Sequence, residues 1–92
     1  MLGFISTFYG IPKEKILSKV RDRELVTCRH VFGRIAIDNV PNATLKNIGL
    51  FLGKRDHSTI IHGNTNVNNL NDTDKKFNKE YNQLLSFISK KI

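Results

Sequence analysis

One short stretch gathers most of the side chains able to make directed polar contacts. Arg55, Asp56, His57, Ser58, Thr59 and His62 fall close together in a chain of 92 residues. Their chemistry suits recognition rather than catalysis. Asp56, His57 and Ser58 carry the letters of a catalytic triad, but a triad is assembled in space and not from chain neighbours. His57 and His62 lie about 140° apart around a helix, and Cys28-Arg29-His30 is no ligand spacing, so no metal site is expected. Glycine-rich phosphate loops are absent, so no nucleotide or other cofactor is expected. Short hydroxyls and imidazole edges can instead meet the donors, acceptors and methyl groups of a base edge.

Two elements must position this stretch. Leu45, Ile48 and Leu52 form the stripe of one helix face, and Thr44 precedes them as its cap. Gly53 ends that helix, because glycine tolerates the left-handed conformation of a terminal turn. Asp56 then suits the N-cap of a second helix, its carboxylate accepting from free amides of the first turn. Ile60, Val67 and Leu70 supply the apolar stripe of that helix. Two helices joined by a short turn containing glycine predict a helix-turn-helix. In that motif the start of the second helix reaches base edges in the major groove. Ser58 and His62, four apart, share a face there, with Thr59 beside them. The plainer alternative is ordinary capping by Ser58 and Thr59, with both histidines merely exposed.

Charge agrees with an anionic partner. Fifteen Lys and Arg against eight Asp and Glu give a net charge of +7 and a pI near 9.9. Residues 13–34 hold Lys13, Lys15, Lys19, Arg21, Arg23, Arg29 and Arg34 against Glu14, Asp22 and Glu24. Lys46 and Lys54 extend the excess towards the turn. Such a balance favours nucleic acid or an anionic membrane surface. The basic residues do not lie opposite a free apolar stripe, so a membrane role is not expected. No apolar run approaches the roughly 20 residues of a membrane span, and no charged leader precedes Leu2. One cysteine, Cys28, fits a cytoplasmic setting.

The remaining chain reads as helices. Leu2, Ile5, Phe8 and Tyr9 fall at helical spacing before Gly10. Pro12 opens a short helix over about 12–19, followed by an exposed basic loop over 19–24. Thr27 is expected to cap a central helix over about 28–39, ended by Pro41. The asparagines of 64–71 are mediocre helix formers, so the second helix of the motif is expected to fray towards Asn71. Asp72-Thr73-Asp74 caps a last helix carrying Phe77, Tyr81, Leu84, Leu85 and Ile88. The prediction is an all-α fold, a compact bundle of about six helices containing a helix-turn-helix, in a single domain over residues 1–92.

The string from Gly53 to His62 resembles the signature of the C-terminal DNA-binding domain of the bacterial replication initiator DnaA, whose common form is G-G-R-D-H-T-T-V-x-H. Ile16-Leu17-Ser18-Lys19 with Arg21 and Arg23 resembles that family's L-L-S-K and its basic loop. The likeness covers about Ile5 to Ile88. It implies sequence-specific binding of double-stranded DNA at a short, asymmetric, A·T-rich DnaA box, in the cytoplasm at the nucleoid, without need of a dimer and without enzymatic activity. By resemblance Arg55, Asp56, His57, Ser58, Thr59 and His62 face the bases. Arg21 and Arg23 reach the flanking minor groove, where arginine suits the concentrated negative potential. Lys19, Arg29, Lys46 and Lys54 are expected at phosphates, setting register without reading sequence.

Departures from the pattern also carry expectations. Ser58 replaces the usual threonine and loses a methyl. Val20, Asp22 and Glu24 make the loop less positive. Lys54 replaces a glycine and would strain the turn at a positive φ. Cys28 replaces a common proline. Asn64 occupies a small apolar site and must find a hydrogen bond or tilt outward. The departures at Val20, Cys28, Ser58 and Asn64 favour a divergent stand-alone relative over an excised initiator domain. Two alternatives stay open: a dimeric regulator of the Trp-repressor kind, or a basic module that docks an acidic protein.

Overall fold

Thr44 shows how the sequence starts an element in this chain. Its Oγ1 accepts from the amide of Asn47 at 3.1 Å, which satisfies one of the free donors of the first turn. Asp74 does the same for the last helix, accepting from the Phe77 amide at 3.1 Å. The computed structural model describes residues 2–91 and contains six helices. They are α1 (Leu2–Tyr9), α2 (Lys13–Leu17), α3 (Arg23–Asn39), α4 (Leu45–Phe51), α5 (His57–Thr73) and α6 (Lys75–Lys91). The fold is all-α, as the periodicity predicts, and α4, the following turn and α5 form the helix-turn-helix.

α3 is the centre of the bundle. It packs against α1, α2, α4 and α5, while α6 closes the remaining side against α1 and α5. Its Leu25, Cys28, Val31, Phe32, Ile35 and Ala36 are buried at three- and four-residue steps. Ile48 and Leu52 from α4 and Ile60 and Val67 from α5 meet the same core. The two helices of the motif are thus fixed by one apolar body, and their polar faces are left to solvent.

Three local expectations are corrected. α3 begins at Arg23, with Asp22 in the capping position, and not after Thr27. Thr27 lies inside the helix, and its hydroxyl donates to the Arg23 carbonyl at 3.0 Å. Leu25 is the reason: it is buried, so the apolar stripe starts three residues earlier than Cys28. Arg23 is therefore the first residue of α3, and the basic loop is shorter than expected. α5 does not fray at Asn71 but continues to Thr73. There Asn78 Nδ2 donates to the Asn71 carbonyl at 3.1 Å and to its Oδ1 at 2.9 Å, so α6 holds the end of α5. Finally, Asp56 occupies the capping position of α5 without a side-chain capping bond. Its carboxylate meets His57 Nδ1 at 3.0 Å instead.

Candidate nucleic-acid interface

The turn between α4 and α5 is built by close backbone contact. The Arg55 amide donates to the Gly49 carbonyl at 2.7 Å. A Cβ at residue 49 would run into the Arg55 carbonyl oxygen, so only glycine allows α4 to fold back this tightly. Gly53 and Lys54 then both take positive φ, +88° and +62°. The sequence marks Gly53 as the turn residue but gives no comparable sign for Gly49, which lies inside a regular helical stripe.

Past this turn the start of α5 is open. Asp56, His57, Ser58, Thr59 and His62 are all exposed, as are Lys46 and Lys54 nearby in sequence. Ile60, Gly63 and Val67 on the other side of α5 are buried. Burial of that stripe fixes which face of the helix is presented. Ser58 and His62 lie one turn apart on it.

The basic loop is held beside α5 by buried charge. Arg29, on α3, is only 6% exposed. Its Nε donates to the Ile16 carbonyl at 2.6 Å and its Nη1 to the Val20 carbonyl at 2.7 Å. Its Nη2 donates to the carbonyls of Ser18 at 2.8 Å and Lys15 at 3.1 Å. A buried guanidinium needs acceptors for its donors, and here the last carbonyls of α2 and the turn after it provide them in place of a carboxylate. Desolvation lowers the Arg29 pKa, with the positive charge of Arg55 adding to the effect. The expectation that Arg29 contacts phosphate is not met by this geometry, because Nε and both terminal nitrogens are engaged inside the protein. No sequence signal separates such an arginine from its exposed neighbours.

Arg55 is likewise engaged. Its Nη1 donates to the Leu52 carbonyl and its Nη2 to the Ser18 carbonyl, the latter at 2.6 Å. Lys19 is exposed, and its Nζ donates to the Gly53 carbonyl at 2.9 Å. Arg21 and Arg23 are exposed, Arg21 in the loop and Arg23 on the first turn of α3.

A cleft of about 540 Å³ joins these parts, lined by Lys19, Arg21, Arg55 and Thr59 with Val26 and Ile60 among the residues between them. Loop, turn and recognition helix therefore contribute to one concave, cation-rich surface. His30 also lines it, its ring half-buried and its Nδ1 3.3 Å from Asn66 Nδ2. Lys46, Lys54, His57, Ser58 and His62 are not among the lining residues. Asn64, expected to find a partner or tilt outward, does neither: its Oδ1 is buried without a hydrogen bond. Among the described residues there is no cluster of three metal-capable side chains and no helix long and apolar enough to cross a membrane.

Comparison with known proteins agrees with this geometry. The family described as "Bacterial dnaA protein helix-turn-helix" matches residues 2–67, which include the loop, the turn and the first part of α5. The chain is 37% identical over 75 residues to the chromosomal replication initiator protein DnaA of Flavobacterium psychrophilum, covering 82% of this chain and 16% of that protein. It is 29% identical over 91 residues to the protein of the same name from Bacteroides thetaiotaomicron, covering 99% of this chain and 19% of that protein. The chain thus spans less than a fifth of the length of these curated relatives. The tight α4–α5 turn, the exposed start of α5 and the matching sequence together place this chain in the bacterial DnaA helix-turn-helix family.

Proposed function

We infer that this protein binds double-stranded DNA sequence-specifically, at DnaA-box-like sites, in replication initiation or its regulation. The observation that carries the reading is the exposed polar start of α5 set beside a basic loop across one cleft, in a chain of this family. The start of α5 enters the major groove, where Ser58, Thr59 and His62, with Asp56 and His57, offer donors, acceptors and a methyl to base edges. Arg21 extends from the loop towards the adjoining minor groove, with Arg23 at the base of α3 behind it. Lys19, Lys46 and Lys54 meet phosphates and set the register. One copy binds one asymmetric site. The role is binding rather than catalysis, at DNA in the cytoplasm.

Fluorescence anisotropy tests the reading, with a duplex carrying a DnaA box and a scrambled duplex of equal length at about 0.15 M salt. The expected result is binding to the box tighter by roughly tenfold or more, since specific sites exceed non-specific ones by large factors. Equal binding to both duplexes overturns it.

A further inference from the structure

Ser18 and Arg55 are 37 residues apart in the chain, yet they meet at the junction of the basic loop and the recognition turn. The Ser18 carbonyl accepts from two guanidinium groups, Arg55 Nη2 at 2.6 Å and Arg29 Nη2 at 2.8 Å. Arg55 also donates to the Leu52 carbonyl at the end of α4, so one planar group bridges two segments. A second bond runs the opposite way, from Lys19 Nζ to the Gly53 carbonyl at 2.9 Å. Neither arginine forms an ion pair among the described residues. Burial lowers the pKa of both, and each guanidinium bears on a shared acceptor without an acid to offset it. Two like charges drawn to one oxygen are costly to assemble. Arginine is suited to the task because its rigid fork presents several donors in one plane, which lysine cannot reproduce.

We propose that Arg55 is a positioning residue: by spanning the Leu52 and Ser18 carbonyls it locks the basic loop to the recognition turn, so that Arg21 and the start of α5 meet DNA as one body. This rests on the DNA-binding reading above, and it gives Arg55 a role other than direct contact with a base. To read a base, Arg55 would have to leave both carbonyls. The loop would then keep Arg29 and the flexible Lys19–Gly53 bond but lose the planar guanidinium bridge to the turn.

Backbone ¹⁵N relaxation on the full chain tests the lock without any DNA. In the unmodified protein residues 19–22 are expected to be as ordered as a folded backbone, with order parameters near about 0.85. In Arg55→Lys they are expected to fall below about 0.6 while α3 and α5 stay unchanged. Arg55→Gln serves in its place should the lysine variant not fold. A loop that is already loose in the unmodified protein, which needs no variant to measure, overturns the proposal. So does a loop whose order is unaffected by the substitution.

Binding supplies the second arm, as a double-mutant cycle on the box duplex. Arg21→Ala is expected to weaken binding roughly tenfold in the unmodified background and less than about twofold beside Arg55→Lys, because an untethered loop presents Arg21 poorly. A full penalty retained in both backgrounds, with specificity relaxed at a single base pair, would instead make Arg55 a base reader and overturn the proposal. Failure of the unmodified protein to prefer the box would remove the DNA-box reading, and the relaxation experiment would still decide the lock.

Discussion

Asn64 Oδ1 lies 3.6 Å from where a Cβ on Gly33 would stand, buried in the α3–α5 contact with no donor among the described residues. An unmade hydrogen bond at a buried acceptor costs about 1–3 kcal/mol. Asn64→Ala removes that acceptor where the helices already approach closely. It is expected to raise stability by about 1 kcal/mol, a melting shift of roughly 4–8 °C for a domain of this size. Thermal unfolding by circular dichroism checks it. A lower midpoint would show that the amide is satisfied in solution or that its packing outweighs the lost bond.

Lys54 stands at φ +62°, in the left-handed region. An ordinary residue there costs about 1–2 kcal/mol relative to glycine, which has no Cβ to clash. Lys54→Gly should therefore stabilise the protein by about 1 kcal/mol and yet weaken DNA binding. If Lys54 contacts a phosphate, the slope of log affinity against log salt falls by about one. Denaturant unfolding and a salt titration separate the two effects. An unchanged slope would take Lys54 out of the interface.

Thr59→Ala and His62→Ala address base reading directly. Both side chains are exposed, so neither change should disturb the fold. Each is expected to lose roughly 1–3 kcal/mol on a box duplex and little on random DNA. Equal losses on both duplexes would assign these residues to the backbone.

His30 gives a dependence on pH. Its pKa is lowered from the ordinary histidine value by desolvation, and the neighbouring Arg29 adds to this. The folded protein thus holds His30 neutral where the unfolded chain would protonate it. Stability from this group is complete above about pH 6.5 and declines as pH falls towards the lower folded value. Melting temperature measured between about pH 7.5 and 5 should drop on the acid side, and His30→Gln should flatten that drop. An equal drop in the variant would place the effect elsewhere.

The helix-turn-helix was readable because its signals are local. Thr44, Gly53 and Asp56 mark ends, and the Leu45-Ile48-Leu52 stripe has one period. The start of α3 is not legible in the sequence, because Arg23 and Glu24 hide the helix behind an exposed, charged first turn. The asparagines of α5 predict fraying, but Asn78 reaches back from α6, a contact that propensity alone does not contain. The sequence points Arg55 to bases and Arg29 to phosphates, and it does not show their inward bonds because the partners are backbone carbonyls, which leave no trace in residue type. Gly49 is silent in the sequence for a related reason: the atom it makes room for belongs to the chain six residues on.

Arg29 grips the end of α2 and the turn after it only by main-chain oxygens, those of Lys15, Ile16, Ser18 and Val20. None of these bonds depends on which side chain the loop carries. Val20, Arg21 and Asp22 are all exposed, so their identities can be exchanged while the backbone keeps its path. The loop behaves as a replaceable cassette: its charge can change at these positions while the recognition helix alongside it stays in place.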